Sequence, residues 1–216
     1  MHGRLFFKHS ILDELRRVAC NNKPVQTVLK TDVPARPAGQ ENVIGLTAAP
    51  METVRIGVVG LGMRGGDAVE RLSYVPGAVI TALCDLEPDR VEASQETLAK
   101  MGKPAAKAFS GAEDAYKQLC EQEDVDLVYI CTDWSHHVPV ALYAMEHGKH
   151  AAVEVPAAGT LEDIWALINT SERTRKHCIM LENCCYDFFE LSCLAMAQAG
   201  VFGEVLHVEG SYLHWL

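Results

Sequence analysis

From Val54 onward the chain switches repeatedly between two periods of hydrophobicity. Short apolar runs at residues 54–59, 78–84, 106–109, 125–131, 151–155 and 178–182 are separated by stretches whose apolar side chains recur every three to four residues. The pattern predicts six strands with helices between them. Ala68, Val69 and Leu72 make the inward stripe of a helix that starts near Arg64. Ala112, Ala115, Tyr116 and Leu119 do the same for a helix capped by Ser110 and Glu113, and Val138, Ala141, Leu142 and Met145 for the next. Leu161, Ile164, Trp165 and Ile168 repeat the spacing behind a Thr160 cap. Pro88 near a first turn and Gly102 just past a last one bound the remaining helix. Such alternation specifies an α/β fold with a doubly wound parallel sheet.

Both flanks break this rhythm. Near the N-terminus, Ser10 and Asp13 could cap a short amphipathic helix carrying Ile11, Leu12, Leu15 and Val18. Pro24, Pro34, Pro37, Gly39 and Pro50 then suggest an extended segment, so residues 1–50 are expected to form an arm or linker. At the other end, residues 187–199 read as a helix closed by Gly200, and residues 205–212 alternate as a strand does. One helix and one strand cannot bury both faces of a new sheet. Residues 184–216 are therefore expected to be the start of a truncated α+β substrate domain whose remainder is missing.

Composition narrows the function. The chain has 216 residues, 49% hydrophobic and 22% charged, which suits a soluble globular protein. Its net charge of -10 gives no electrostatic footprint for nucleic acid or for an anionic membrane, so neither is expected as a partner. No apolar stretch approaches the roughly 18 residues of a membrane-spanning helix. Leu5-Phe6-Phe7 is too short for a secretory signal, and Arg16-Arg17 and Cys20 lack the apolar run that a twin-arginine or lipoprotein signal needs. The expected location is cytoplasmic. Eight cysteines, several within strands or helix faces, suggest a reduced chain. Cys184-Cys185 and His136-His137 are adjacent pairs rather than metal-ligand spacings, so no metal site is expected.

The first strand runs directly into Gly60-Leu61-Gly62-Met63-Arg64-Gly65, and Asp85 ends the next strand 20 residues after Gly65. This is the arrangement of a dinucleotide-binding turn. Gly60 permits the sharp turn, Gly62 lets the backbone approach a pyrophosphate, and Gly65 lets the helix pack on the strand. The free N–H groups of the helix start face the phosphates. A carboxylate at Asp85 accepts from ribose hydroxyls and repels a 2'-phosphate, which favours NAD over NADP. Residues 51–183 are thus expected to be an NAD-binding Rossmann domain.

Three further stretches extend the pattern: the strand from Asp124 to Cys131, Gly148-Lys149-His150, and Glu154-Val155-Pro156. With them the chain, from about residue 40 onward, resembles the Gfo/Idh/MocA oxidoreductase family. That family usually carries a lysine between the glutamate and proline of the last motif, where Val155 has no donor. Together with Gly62-Met63-Arg64-Gly65, Asp133-Trp134-Ser135-His136-His137, Glu182-Asn183-Cys184-Cys185-Tyr186 and the Gly203 to Gly210 segment, the departure resembles glycoside hydrolase family 109. Members of that group are NAD-dependent alpha-N-acetylgalactosaminidases.

The resemblance implies hydrolysis without the two flanking carboxylates of ordinary glycosidases. Retained NAD+ oxidises the sugar at C3, the C2 proton is lost, the C1 group is eliminated, water adds, and C3 is reduced again. It also implies site residues. NAD would meet Met63 and Arg64 at the turn, Asp85 at the ribose, and Trp134, Ser135, His136 and His137 after the fourth strand. Glu154, Val155 and Asn183 would lie near the nicotinamide half, Tyr212 would reach the sugar, and Tyr186 and His214 are candidates for catalysis. The substrate would be a small N-acetylgalactosaminide, a homo-oligomer is possible, and the family leaves export open.

Each role has an ordinary alternative. Trp134 could be a packed aromatic, one of the two histidines could cap its helix, Asn183 could shape a turn and Tyr186 could pack. Glu154 at the end of an apolar strand needs a partner, which argues for a site. Two other functions remain open: a net sugar or polyol dehydrogenase of the same fold, and an inactive nucleotide-binding fragment.

Overall fold

In the computed structural model, the structure describes residues 33–209 and Ser211. The expected helix near Ser10 and most of the N-terminal arm lie outside these residues, as do Tyr212 and His214. The chain divides into two compact units. One runs from Pro37 to Glu182, and the other includes the residues from Asn183 onward.

The first unit holds six strands: β1 (Val54–Val59), β2 (Ala78–Asp85), β3 (Lys107–Ser110), β4 (Leu127–Ile130), β5 (His150–Glu154) and β6 (Cys178–Leu181). Five helices connect them: α1 (Met63–Ser73), α2 (Pro88–Lys100), α3 (Ala115–Cys120), α4 (Trp134–Glu146) and α5 (Leu161–Thr174). All pairings are parallel, in the order β3-β2-β1-β4-β5-β6. Alternate side chains of each strand serve opposite faces. Ile56, Val58, Ile80 and Leu83 pack with Val69, Val91 and Leu98 on one side. Val59, Cys84, Val128, Ile130 and Val153 pack with Leu119, Val140 and Met145 on the other. Full burial of such side chains stabilises by about 1.5–3 kcal/mol each, which fixes the register of the central strands. The strand order reverses between β1 and β4, and in sheets of this kind ligands bind outside the carboxyl ends at that point.

Several expectations shift. Residues 37–50 group with the sheet unit, where the Arg175 guanidinium donates to the Glu41 and Asn42 carbonyls at 3.1 and 3.0 Å. The helix expected behind Ser110 starts at Ala115 instead, with Asp114 at its N-cap. Ser110 is consumed by pairing with Asp85 in the sheet, and Gly111 at φ +82 turns the chain before the helix begins. Ala112 is consequently exposed, while Ala115 and Leu119 are buried as expected.

The stripe read for α5 is also rotated. Leu161 is 57% and Ile164 42% exposed, whereas Leu167, Thr170 and Ser171 are buried. The helix packs mainly on α4 and less on β6, so a different arc of its surface is covered. Thr160 does cap it, its Oγ1 accepting from the Asp163 N–H at 3.1 Å.

In the second unit, a 3₁₀ turn spans Asn183–Tyr186 and α6 spans Phe188–Gln198. Gly200, at φ +70, follows the helix as expected of a left-handed C-terminal residue. Residues 205–209, expected to be extended in a sheet, make no strand pairing. Among the described residues no helix is long and apolar enough to cross a membrane.

Candidate functional site

The turn between β1 and α1 is built around two glycines that nothing else can replace. Gly60 sits at φ +87, and a Cβ there would lie 2.6 Å from the Cys131 carbonyl. A Cβ on Gly65 would fall 1.8 Å from the Gly60 oxygen. Gly62 differs: its Cβ would meet nothing closer than Arg90 Nη1 at 4.0 Å. The space before Gly62 is open, as a pyrophosphate requires. The first helical bond runs from the Gly66 N–H to the Gly62 carbonyl at 2.8 Å, so the preceding amides have no acceptor within the helix. No acidic residue occupies that first turn and no side chain caps it. These features fit an anionic ligand.

Asp85 ends β2 and is 6% exposed. Its Oδ2 accepts from the Leu61 N–H at 2.5 Å, and its Oδ1 accepts from the Glu87 N–H at 2.9 Å. Arg90 approaches Oδ1 at 3.4 Å. One carboxylate therefore ties together the loops that follow β1 and β2.

Opposite it, Glu154 ends β5. Its Oε2 accepts from the Arg64 guanidinium at 3.1 Å and its Oε1 accepts from the Tyr129 hydroxyl at 3.0 Å. The Glu154 hydrogen bond raises the Arg64 pKa above its ordinary value. Burial pushes the Tyr129 phenol up to about 12, and the Cys131 thiol next to it likewise to about 12. This explains how a glutamate is tolerated at the end of an apolar strand: both oxygens are partnered.

The start of α4 separates the two adjacent histidines. Asp133 caps the helix, Oδ1 accepting from the Ser135 N–H at 3.0 Å and from the Ser135 hydroxyl. His136 bridges two carboxylates, with Nδ1 2.7 Å from Asp133 Oδ2 and Nε2 3.3 Å from Glu113 Oε1. The Ser135 hydroxyl and then His136 hold Asp133 down at about 2, and the Asp133 contact raises His136 above 6.5. His137 is 1% exposed, with its two ring nitrogens 2.7 Å from the Pro156 carbonyl and 3.0 Å from the Thr132 carbonyl. It fastens the end of β4 to the segment after β5 and has no surface left for a ligand.

A cleft of about 430 Å3 lies across the β1/β4 reversal. Gly60, Gly62, Met63, Arg64, Asp85 and His136 line it. Of the other expected residues, Gly65 is buried behind the turn and Ser135 lines a shallower hollow beside His136. Trp134 is 72% and Val155 43% exposed. Asn183 and Tyr186 are exposed in the second unit. Arg90, Glu113, Thr132 and Asp133 also line the cleft, Asp133 at the head of the motif that runs to His137, and Tyr129 anchors Glu154. Of those outside the quoted motifs, Arg90 carried a usable signal, since it stands in the first turn after the strand that ends in Asp85.

A parallel sheet in this order, a glycine turn opening a helix, and an acid gripping that turn together define a dinucleotide-binding Rossmann domain. Comparison with known proteins makes the assignment specific. The family model described as oxidoreductase family, NAD-binding Rossmann fold, matches residues 54–182, and the chain belongs to this Gfo/Idh/MocA family. It is 59% identical over 213 residues to glycosyl hydrolase family 109 protein 1 of Bacteroides fragilis, covering 96% of this chain and 46% of that protein. It is 63% identical over 186 residues to a glycosyl hydrolase family 109 protein of Porphyromonas gingivalis, covering 86% and 40%. The chain thus spans less than half the length of these relatives. Among solved structures, the WlbA dehydrogenase of Chromobacterium violaceum in complex with NADH and UDP-GlcNAcA superposes with a TM-score of 0.61. Its identity is 20%, over 72% of this chain and 42% of that one, and the likeness speaks to the fold.

Proposed function

We propose that this chain is the NAD-holding part of an enzyme that hydrolyses alpha-N-acetylgalactosaminides by transient oxidation at C3, elimination, water addition and re-reduction. The observation that carries the reading is the 59% identity, across 96% of the chain, to a glycosyl hydrolase family 109 protein. The open space before Gly62 and the first amides of α1, which have no acceptor within the helix, support it.

When bound, NAD+ supplies a hydride acceptor for the sugar and returns the hydride at the end of the cycle. The residues of this chain bind and orient. Gly60, Gly62, Gly65 and the first turn of α1 receive the pyrophosphate, with Met63 and Arg64 beside it. Asp85 serves the ribose. Trp134, Ser135 and His136 flank the cofactor after β4, while His137 acts from behind by fixing the Pro156 carbonyl. Glu154 and Val155 serve the nicotinamide half. Val155 brings no donor to the sugar, so proton transfer falls to other groups. Tyr186 and His214 are proposed for that transfer, Tyr212 for sugar contact and Asn183 for the cofactor.

The decisive assay supplies a chromogenic alpha-N-acetylgalactosaminide, without added cofactor, to the full-length protein that contains this chain. Aglycone release with no accumulation of NADH is expected. Steady NADH production would instead make the protein a net dehydrogenase. The 216-residue chain alone is expected to bind NAD without turnover.

A further inference from the structure

The motif Gly148-Lys149-His150 takes no part in the cleft, yet its histidine closes a seam of the sheet. His150 opens β5, at the end opposite Glu154, and its Nδ1 accepts from the His177 backbone N–H at 3.0 Å. The His177 carbonyl in turn accepts from the Ala151 N–H at 2.9 Å, just ahead of Cys178, which pairs with Ala151. Both backbone groups of His177 are thus held by the start of β5. The strand that follows, β6, lies at the edge of the sheet and pairs with β5. Ile179 and Met180, two of its four residues, are 49% and 47% exposed, so apolar burial contributes little to holding it. Its attachment depends on the hydrogen bonds along the seam.

An accepting Nδ1 fixes the protonation of the ring. Neutral imidazole with its proton on Nε2 can take the His177 N–H, whereas imidazolium carries protons on both nitrogens and accepts nothing. Protonation sets two N–H groups against each other. The surroundings oppose that charge as well. Burial, then Lys176 and His177, lower the His150 pKa from its ordinary 6.5, against the pull of Asp126. Asp126 is a poor counter-ion, because both of its oxygens already accept from the Arg55 guanidinium, at 2.9 and 2.6 Å. Lys149, the preceding residue, donates to the Gln122 carbonyl at 2.5 Å, and the His177 ring centre lies 5.0 Å from that of His150. A histidine whose folded pKa is depressed contributes its stability above its ordinary 6.5 and loses it as pH falls through the folded value.

We infer that His150 is an acid-sensitive clasp: its neutral ring holds the edge strand β6 on β5, and its protonation releases β6 while the centre of the sheet stays paired. The loosened segment is the one that leads through Glu182 into Asn183.

The test follows hydrogen exchange of the β6 and β1 amides in the 216-residue chain at about pH 5 and about pH 7.5, corrected for intrinsic exchange, with an NMR titration of the histidine rings. In the parent chain, β6 protection should fall about threefold to tenfold at the lower pH, the equivalent of one lost hydrogen bond, while β1 is unchanged. His150→Asn keeps an acceptor at the same place and cannot titrate, so its β6 protection should be the same at both values. His150→Ala should show the loss already at the higher pH. Equal β6 protection in the parent at both values overturns the inference, as does a parallel fall in β1 or a pH dependence that survives in His150→Asn. A His150 ring that titrates at or above 6.5 in the parent chain overturns it without any variant.

Discussion

The Arg64 guanidinium donates to the Glu154 carboxylate across 3.1 Å, joining the glycine turn after β1 to the end of β5. The partners are unequally placed: the Arg64 side chain is 46% exposed and that of Glu154 is 12% exposed. Removing the cation strands a nearly buried carboxylate with Tyr129 as its remaining donor among the contacts described. Arg64→Ala is expected to cost about 1–3 kcal/mol in urea unfolding and to weaken NAD binding. Solvent screening limits the direct coupling, so the Arg64→Ala, Glu154→Gln double-mutant cycle should return about 0.5–1 kcal/mol. A coupling of zero would show the pair to be incidental.

Gly62 and Gly65 should respond oppositely to alanine. Gly65→Ala drives a Cβ into the Gly60 carbonyl and should prevent the turn from forming, seen as loss of a cooperative unfolding transition. Gly62→Ala meets open space, so its stability should fall by about 1 kcal/mol or less, the cost of a poorer helix N-cap. Its NAD affinity should nonetheless collapse, because the added methyl fills the approach to the phosphates. Normal NAD binding by a folded Gly62→Ala protein would remove the turn from the site.

The Asp133–His136 pair predicts a window of pH. The His136 pKa is raised in the folded state, so its contribution is complete below its ordinary 6.5 and is lost as pH rises through the raised value. Asp133 is held at about 2, so its contribution is complete above its ordinary 3.8 and is lost as pH falls toward 2. The pair therefore contributes most between about pH 4 and 6.5. Stability measured against pH should decline above 6.5 in the parent chain and flatten in His136→Gln. Identical profiles would contradict the assignment.

Thiol reactivity should divide by burial. Burial pushes Cys84, Cys120 and Cys131 up to about 12 and Cys178 up to about 11, whereas Cys184, Cys185 and Cys193 are exposed. At pH 8 a thiol with a pKa of about 12 is ionised to roughly one part in 10⁴ and reacts correspondingly slowly. Peptide mapping after brief alkylation should find label at the exposed three and almost none at the buried Cys84 and Cys120 or the half-buried Cys131 and Cys178 until denaturant is added.

The six strands and the glycine turn were legible in the sequence because both are local. Strand burial imposes a run of apolar residues, Gly60 holds a positive φ, and Gly65 answers the Gly60 carbonyl five positions before it. The separate fates of His136 and His137 were less accessible, because each stands four residues before a fully buried side chain, Val140 and Ala141 respectively. The support of Glu154 was not accessible. It depends on β4 lying against β5 in the register that pairs Tyr129 with Ala152, a fact set by the whole sheet. The α5 stripe failed for a related reason: the arc that is covered, Leu167, Thr170, Ser171 and Glu172, is mostly polar, and packing on α4 rather than apolar periodicity selects it.

Asp85 holds two loops around a single carboxylate. Ordering a backbone residue costs about 1–2 kcal/mol, and a loop that must order on binding subtracts that from affinity. Here little subtraction is needed, and the full contact energy is available to lengthen the residence time of whatever occupies the cleft. A cofactor that is reduced and reoxidised within one turnover never has to leave. A slow-release cradle, rather than a rapidly exchanging one, is what the proposed cycle demands.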